Sequence, residues 1–288
     1  MSEKNKIEAG MLYLVATPIG NLADLSERAR KVLAEVTFVA AEDTRNTRAL
    51  LSHFGIHTEL VSYHEHNKAG RGGEIVARLL AKDSCALVTD AGMPAISDPG
   101  EDLVRLAAEA GVPCTCIPGG TAAVTALALS ALPTGRFVFE GFLPTEKRER
   151  RARLAALAGE ERTAILYEAP HRLRRTLDEM AEALGDERPL CLARELTKLN
   201  EEILRTTVGG ACAHYREREP RGEYVLVLGG ATPKENTPEE QTLSPEEHVA
   251  RYEAAGMSRM DAIKAAARDR GVAKSILYKM LQSDQESE

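Results

Sequence analysis

Short apolar runs alternate with amphipathic helical patterns through the first half of the chain, and this alternation limits the possible folds more than any other sequence feature. Strands that alternate with helices form mostly parallel sheets with helices on both faces. We therefore predict an α/β domain over residues 11–133. Its predicted strands are 11–16, 36–41, 59–63, 85–89 and 112–117, and its predicted helices are 26–34, 44–54, 74–81, 99–110 and 121–131.

A second α/β domain is predicted over residues 134–230, after a Pro133-Thr134-Gly135 sequence that we interpret as a domain joint. We expect mixed strand directions in its sheet. The predicted strands are 136–142, 163–167, 189–193, 203–207 and 224–228, and the predicted helices are 147–157 and 170–184.

The last part of the chain changes in composition. Residues 231–248 are rich in Pro, Thr and Glu, with five acids against one Lys, and we predict an acidic linker over 231–243. Three short helices are predicted beyond it, at 245–255, 259–268 and 274–281, with Ser258 as an N-cap. Small three-helix units with a basic last helix often bind nucleic acid, so we interpret 244–288 as a helix-turn-helix-like unit that docks RNA.

The stretch from Cys85 to Glu101 has the pattern of a ligand site. An apolar strand ends at Asp90 and is followed by small residues that leave the backbone bare. Asp98, Pro99 and Glu101 predict an N-cap, a first helical residue and a capping-box partner. Ligands bind at the carboxyl ends of strands in open α/β sheets, where Asp90 could accept hydrogen bonds from a ligand hydroxyl or amine. The alternative is that Asp90 only caps the turn.

Four more turns place small or polar residues at the end of a predicted strand. They are 17–22, 41–45, 118–122 and 167–172. The chain has neither a GxGxxG dinucleotide loop nor a GxxxxGK[ST] phosphate loop. We therefore expect a ligand other than NAD or ATP.

Charge is segregated along the chain. The net charge of −7 argues against general electrostatic adhesion to nucleic acid. Residues 141–175 nevertheless hold nine Lys/Arg against five acids, and residues 257–280 hold six against two. These two segments could face a polyanion, or they could be solvated helix faces.

Cysteine usage and the chain start suggest a cytoplasmic protein. The five cysteines form no CxxC pair, and we interpret them as buried thiols in a reducing compartment rather than zinc ligands. The first ten residues are polar, and no apolar run approaches the length of a membrane span. We expect no membrane association.

Five motifs, taken in order, resemble the small-subunit ribosomal RNA methyltransferase I family of the tetrapyrrole-methylase superfamily. The resemblance covers essentially the whole chain, although Met93 and Ala95 stand where the family pattern has Thr and Leu. The motifs are Leu14-Val15-Ala16-Thr17-Pro18-Ile19-Gly20-Asn21-Leu22, Ala41-Glu42-Asp43-Thr44-Arg45, Thr89-Asp90-Ala91-Gly92-Met93-Pro94, Tyr167-Glu168-Ala169-Pro170-His171-Arg172 and Arg194-Glu195-Leu196-Thr197-Lys198.

The resemblance implies S-adenosyl-L-methionine as methyl donor and the ribose 2′-hydroxyl of a decoding-region cytidine in small-subunit (16S) RNA as acceptor, within the 30S subunit. It also implies a homodimer with a cleft between two α/β domains. The implied donor-binding residues come from both domains. They are Pro18, Gly20, Asp90, Ala91, Gly92, Pro94, Ile96, Thr121 and Ala122 from the first domain, and Tyr167 and Arg194 from the second.

Methylation of a ribose hydroxyl defines the catalytic task. An uncharged hydroxyl is a poor nucleophile, so the site must hold it in line with the methyl group and remove its proton. No metal is needed for this step. The candidate catalytic residues are Glu42, Asp43, Arg45, Glu168 and Lys198, with Arg45 and Arg194 also placing phosphate. The alternative for the 42–45 group is a helix N-cap with a local ion pair.

Three other functions stay open at this point. A tetrapyrrole or precorrin methyltransferase would share the donor pocket but has no use for a basic three-helix tail. A metal-dependent phosphohydrolase could use Glu42, Asp43, Asp90 and Asp98 as oxygen ligands. A non-enzymatic DNA regulator would place all function in the tail. His64 and His66 lack a third ligand at suitable spacing, so we interpret them as part of a polar loop.

Overall fold

The computed structural model describes residues 6–232, 243–270, 272 and 274–285. The chain divides into two compact units, Met1–Ala231 and Thr232–Glu288. Most of the predicted acidic linker, residues 233–242, lies outside the described residues. Among the described residues, none of the helices combines the length and the apolar character that a bilayer crossing requires.

The first sheet was predicted to be mostly parallel, and all of its strand pairs are parallel. Its five strands are β1 (Leu12–Val15), β2 (Phe38–Ala41), β3 (Glu59–Ser62), β4 (Cys85–Val88) and β5 (Cys114–Ile117), in the order β3-β2-β4-β1-β5. The connecting helices are α1 (Glu27–Glu35), α2 (Thr44–His53), α3 (Lys68–Leu80) and α4 (Gly100–Glu109), and α5 (Ala122–Leu129) follows β5. A single 3₁₀ turn, Leu22–Asp24, lies between β1 and α1.

Both faces of the first sheet are covered. Alternate residues of β2 point to opposite faces, so Val39 packs in the cluster formed with α1 and α2, while Phe38 packs in the cluster formed with α3 and α4. The central strands β2 and β4 are buried along their full length. The predicted helix–sheet–helix layering is therefore confirmed.

The second sheet has mixed strand directions, as predicted. Its strands are β6 (Phe137–Phe142), β7 (Thr163–Glu168), β8 (Pro189–Arg194), β9 (Glu202–Thr207) and β10 (Tyr224–Leu228), in the order β6-β7-β10-β8-β9. Only β6 and β7 are parallel, and the other pairs are antiparallel. One face packs against helices α6 (Lys147–Ala158), α7 (Pro170–Leu184) and α8 (Val208–Glu217), and the other packs against α5.

The described residues of the tail unit form three helices around a small apolar cluster. The helices are α9 (Pro245–Ala254), α10 (Arg259–Asp269) and α11 (Lys274–Gln285). Val249, Ile263 and Leu277 are among its buried residues. Ser244 caps α9 in a reciprocal capping box with Glu247. The Ser258 hydroxyl accepts a hydrogen bond from the Asp261 N–H at 3.3 Å, which confirms its predicted capping position.

Two helices differ from the sequence prediction because they contain glycines, which lower the helix propensity of the segment. Helix α3 begins at Lys68 rather than residue 74, and three glycines in its first half lower the helix propensity of that segment. Gly72 lies close to α4, since a Cβ there would be 2.7 Å from Leu106 Cδ1 and the leucine side chain would have to shift. Helix α8 was not predicted at all. Its Gly210 leaves room for Thr206, whose Oγ1 would lie 2.1 Å from an added Cβ.

The predicted capping box at the start of α4 is wrong. Pro99 is the N-cap rather than the first helical residue, and no side chain caps the helix from that position. Asp98 Oδ1 instead accepts hydrogen bonds from the N–H groups of Ala95 at 2.9 Å and Gly100 at 2.7 Å. The carboxylate thus fixes the preceding loop as well as the helix start.

The prediction that all cysteines are buried is also wrong. Cys85 and Cys191 are buried, and burial raises the pKa of Cys85 to about 12. Cys114 and Cys116 are exposed because β5 is an edge strand of the first sheet. Cys212 is partly buried.

Candidate functional site

The turns that follow β1 and β4 are joined by their backbones. Thr17 N–H donates to the Gly92 carbonyl at 2.9 Å, and Gly92 N–H donates to the Thr17 carbonyl at 3.1 Å. The Thr17 hydroxyl also donates to the Thr89 carbonyl at 3.2 Å. Two of the turns singled out by sequence therefore meet at the carboxyl edge of the parallel sheet, where such sheets bind ligands.

Two side-chain hydrogen bonds tie the start of α2 and the turn before it to the residues that follow β4. The Thr89 hydroxyl donates to Glu42 Oε2 at 2.8 Å, and Asn46 Nδ2 donates to Asp90 Oδ2 at 3.2 Å. Asn46 was missed by the sequence prediction. The sequence did offer a sign of its role, because Asn46 lies in the first turn of the helix that follows the Glu42-Asp43 motif.

Asp43 and Arg45 form a local capping unit. Asp43 Oδ1 accepts a hydrogen bond from the Arg45 N–H at 2.8 Å, and the Arg45 guanidinium reaches Asp43 Oδ2 at 2.7 Å. The hydrogen bonds from the Arg45 side chain and backbone lower the pKa of Asp43 to about 2. The Arg45 side chain is 87% exposed, so it can meet a ligand without leaving the first turn of α2. Glu42 takes no part in this unit.

The loop after Asp90 contains three residues with left-handed backbone angles, but its backbone is covered at Gly92, which is buried and paired with Thr17, so the prediction of a bare backbone is wrong there. Gly92, Ala95 and Ser97 have left-handed backbone angles of +86°, +68° and +63°, a conformation that is costly for residues with side chains. The Ile96 side chain is 51% exposed, whereas Pro94 is buried. The exposed apolar Ile96 beside the exposed Asp90 loop is suited to contact with a flat ligand.

The loop before α5 packs against the same edge. A Cβ on Gly119 would lie 2.8 Å from Ala16 Cβ, and a Cβ on Gly92 would lie 3.5 Å from the Gly120 carbonyl oxygen. Thr121 is the N-cap of α5 but makes no side-chain capping bond. The Thr121 side chain therefore accepts no hydrogen bond from the first N–H groups of α5. The side chain of Ala122, the first residue of the helix, is only a methyl group.

Tyr167 connects the second sheet to α5. Its ring packs edge-to-face against Phe139 and Phe142, with ring centroids 5.1 and 5.6 Å away. Burial raises the pKa of Tyr167, and a hydrogen bond with the Ala123 backbone opposes that shift. The first turn of α5 thus lies between the loops of the first sheet and an aromatic group of the second.

Glu168 lies on the opposite face of the second sheet from Tyr167. Successive strand residues point to opposite faces, and Glu168 is buried on the side of α7. It accepts hydrogen bonds from the Thr176 hydroxyl and the Ala169 N–H, and Arg172 Nε lies 3.4 Å away. The structure does not bring this carboxylate to the edge formed by the first-sheet loops.

Arg194 is also separated from those loops. Ala193 packs toward α5, so the next residue, Arg194, points to the other face of the sheet. Its Nη2 donates to the Asn200 carbonyl at 3.3 Å, and its Nε lies 3.2 Å from Glu202 Oε2. It lines a separate polar cavity of about 430 Å³ on the second sheet.

Lys198 lies beside Gly20. A Cβ on Gly20 would be 2.4 Å from Lys198 Cγ, so this glycine permits the close approach of the two loops. Lys198 Nζ contacts Glu195 Oε1 at 2.9 Å and Glu223 Oε2 at 2.8 Å. Burial lowers the pKa of Lys198, but its hydrogen bonds to these two carboxylates outweigh that effect and raise it. Lys198 is therefore a cation at neutral pH.

A cavity of about 410 Å³ opens between the turn after β1 and helix α2. Pro18, Gly20 and Asp90 line it. The other donor-binding residues proposed in the first domain, from Ala91 to Ala122, do not line it, and neither does Tyr167. The predicted site thus consists of two adjoining parts that share Pro18, Gly20 and Asp90.

Within the described residues, no group of three His, Cys, Asp or Glu side chains is arranged to hold a metal ion. The rings of His64 and His66 lie 6.0 Å apart in the loop before α3. The oxygens considered for a phosphohydrolase are engaged separately, Glu42 with Thr89 and Asp98 with the backbone of its own loop.

Comparison with known proteins extends these observations. Residues 11–212 match the family model described as Tetrapyrrole (Corrin/Porphyrin) Methylases. A protein of Synechocystis sp. named ribosomal RNA small subunit methyltransferase I is 48% identical over 94% of this chain and 97% of its own length. A protein of the same name from Halalkalibacterium halodurans is 49% identical over 96% of each chain.

A solved structure shares the fold of this chain. It is the uroporphyrin-III C-methyltransferase of Thermus thermophilus in complex with S-adenosylhomocysteine. The match has a TM-score of 0.53 and 21% sequence identity, and it covers 76% of this chain and 97% of the other.

Proposed function

Because the chain belongs to the tetrapyrrole methylase family and, within it, to the ribosomal RNA small subunit methyltransferase I proteins, we propose that it methylates the 2′-hydroxyl of a decoding-region cytidine in 16S ribosomal RNA. The chain is a methyltransferase, and S-adenosyl-L-methionine is its methyl donor. The choice of ribosomal RNA as substrate rests on the relatives of that name, which are 48% and 49% identical to this chain over nearly its full length.

The residues around the Asp90 loop fit this donor. The donor combines an adenine ring, a cationic sulfonium and a polar amino-acid end. The exposed Asp90, the exposed Ile96 and the first turn of α5 offer hydrogen-bonding and apolar surface for these groups. The residues proposed to hold the donor are Pro18, Gly20, Asp90, Ala91, Gly92, Pro94, Ile96, Thr121, Ala122 and Tyr167.

Arg194 is left out of this set. Its side chain points to the face of the second sheet that carries α8, away from α5 and the first-sheet loops. We propose instead that it stabilises the turn between β8 and β9 through Asn200 and Glu202.

Glu42 is the proposed general base. When bound, the donor supplies an activated methyl group on a positively charged sulfur, and the protein must remove the proton of the attacking hydroxyl. The Thr89 hydroxyl fixes Glu42 Oε2 at 2.8 Å, which orients the carboxylate. The other candidates are less suited to this role, since Asp43 is held by Arg45, Lys198 is protonated and Glu168 is buried against α7.

Two cations near the site are suited to placing RNA phosphates. The Arg45 guanidinium is mostly exposed at the start of α2. Lys198 lies with its Cγ beside Gly20 in the turn after β1, and its Nζ stays charged between Glu195 and Glu223. Phosphate contacts of this kind fix the register and orientation of a nucleic acid without reading its sequence. We therefore propose that both residues orient the RNA backbone.

The tail unit is proposed to dock RNA. Helix α11 exposes Lys274 and Lys279 together with Ile276 and Tyr278. Cations mixed with an aromatic side chain suit RNA, because the cations meet phosphates and the ring can stack on a base. We propose that the RNA is bound within the 30S subunit, and that the protein acts in the cytoplasm.

A homodimer is proposed from the surface of α5 and β5. Seven of the eight residues of α5 are apolar, and Ala123, Ala126 and Leu127 pack against the second sheet. Val124 stays 52% exposed on the same helix. The neighbouring strand β5 leaves an unpaired edge at the rim of the first sheet. A second copy of the chain could cover both features.

We expect the protein to form 2′-O-methylcytidine on 30S subunits from cells that lack it, when S-adenosyl-L-methionine is supplied.

Replacement of Asp90 by Ala should weaken donor binding by about 0.5–3 kcal/mol, because a polar contact is lost. Calorimetry measures the donor affinity, and mapping of 2′-O-methyl groups identifies the product. Asp178→Ala, at an exposed position on α7, is the matched control. Unchanged donor affinity in Asp90→Ala would rule out the Asp90 contact.

We expect Glu42→Gln to lower kcat by roughly 10²–10⁴-fold, the usual contribution of a general base, while donor affinity stays unchanged. The amide can still accept the Thr89 hydrogen bond, so the loop should keep its geometry. Single-turnover methylation measures the effect, with Glu35→Gln on the exposed end of α1 as the control. A kcat within twofold of the unmodified protein would exclude Glu42 as the base.

We expect the double replacement Lys274→Gln, Lys279→Gln to weaken RNA binding and to leave donor affinity unchanged. Each lost phosphate contact should lower the slope of log affinity against log salt by roughly 0.7–0.9. Filter binding over a range of salt concentrations measures this slope. Lys31→Gln, on the exposed face of α1, is the control. A full slope and full affinity in the double variant would contradict RNA docking by α11.

We expect the unmodified chain to sediment as a dimer and Val124→Glu to sediment as a monomer, since a charge would be buried at the proposed contact. Leu80→Glu changes a similarly exposed apolar residue on α3 and should leave the dimer intact. A monomeric unmodified chain at micromolar concentration, or a dimeric Val124→Glu protein, would contradict the proposed interface.

A further inference from the structure

The cavity between the turn after β1 and helix α2 has a lining that differs from the rest of the site. On α2, Asn46, Ala49, Leu50 and His53 all line it, and their spacing of three, four and seven residues places them on one face of the helix. Pro18 and Leu22 line it from the turn after β1. Its volume of about 410 Å³ lies within the ~300–1,000 Å³ range of small-ligand sites.

Apolar groups line two sides of this cavity. Pro18 and Leu22 belong to one segment, and Ala49 and Leu50 belong to another. Leu22 is 43% exposed, so its side chain is accessible to a ligand in the cavity. Two apolar surfaces of this kind can hold a planar ring between them, as proteins do with unstacked RNA bases.

The polar groups of the cavity are placed at its ends. Asn46 Nδ2 donates to the Asp90 carboxylate, which leaves Asn46 Oδ1 as an acceptor for another group. His53 is exposed at the last position of α2, one further helical turn from Leu50. An amide oxygen and an imidazole can pair with the exocyclic amine and the ring acceptors of cytosine.

Cations stand next to this cavity on the same helix. Arg45 and Arg48 are three residues apart on α2, and both are exposed. Because residues at this spacing are neighbours on a helix surface, the two guanidinium groups can meet consecutive phosphates. An apolar slot with polar ends and flanking arginines has the chemistry of a site for a single nucleotide of an RNA strand.

We propose that this cavity binds the base of the cytidine whose ribose is methylated, splayed out from its neighbours. The proposal rests on the proposed RNA methylation and assigns its acceptor a place that adjoins the place of the donor. Pro18, Gly20 and Asp90 line this cavity and are also proposed to contact the donor. A base held here therefore places its ribose next to the boundary between the two parts of the site.

Filling the cavity tests the proposal. Ala49→Phe adds a ring to an exposed position of α2 that lines the cavity, and Ser52→Phe adds the same ring to an exposed position of α2 that does not. We expect Ala49→Phe to lower kcat/KM for 30S subunits by about fivefold or more, since base stacking is worth factors of about 5 to 150. Donor affinity should stay within twofold, and Ser52→Phe should behave as the unmodified protein does. If Ala49→Phe fails to fold, Ala49→Leu replaces it.

A direct probe completes the experiment. The imidazole resonance of His53, assigned with His53→Gln, should shift when cytidine 5′-monophosphate is added and should not shift in Ala49→Phe. Full methylation by Ala49→Phe, loss of its donor affinity, or a His53 resonance unaffected by the nucleotide would each overturn the proposal. Absence of 2′-O-methyl product from the unmodified protein would instead refute the proposed function, and the nucleotide titration still reports on the cavity.

Discussion

The site depends on a backbone contact between two turns. The paired hydrogen bonds of Thr17 and Gly92 join the ends of β1 and β4, and Gly92 makes them with a backbone angle of +86° that side chains disfavour. Asp90 lies two residues before this contact and Pro18 one residue after it. Thr89 is held from the Thr17 side and in turn orients Glu42. Most of the polar geometry described above is fixed by this contact, because each group is within a few residues of it.

Much of the fold could be predicted because its local and long-range signals agree. Strand and helix patterns alternate with clear turn residues between them, and such agreement favours one topology. The exceptions have local causes. Gly209 and Gly210 lower the helix propensity of α8, but Gly210 is required by the close approach of Thr206. The exposed cysteines follow from the sheet order, which places β5 at an edge and cannot be read from one segment alone.

The candidate site could be predicted in part. The first-sheet turns lie together as expected, because the carboxyl ends of parallel strands share one edge. Glu168 and Arg194 do not join them, although each is adjacent to a residue that faces α5. A sequence motif groups residues that are adjacent in the chain, but the side chains of adjacent strand residues point to opposite faces of the sheet. Asn46 and His53 could be grouped only after α2 was placed beside the Asp90 turn, since their spacing marks a helix face but does not show what it faces.

The position of β1 has a consequence for how the chain acquires its structure. Leu12 pairs with Cys85 on one side and with Cys114 on the other, so the strand nearest the chain start is flanked by strands that are made much later. At synthesis rates of about 5–20 residues per second, β1 waits for several seconds with both edges unpaired. Unpaired strand edges invite pairing with other chains. The topology therefore leaves both edges of β1 without their native partners until β4 and β5 have been made.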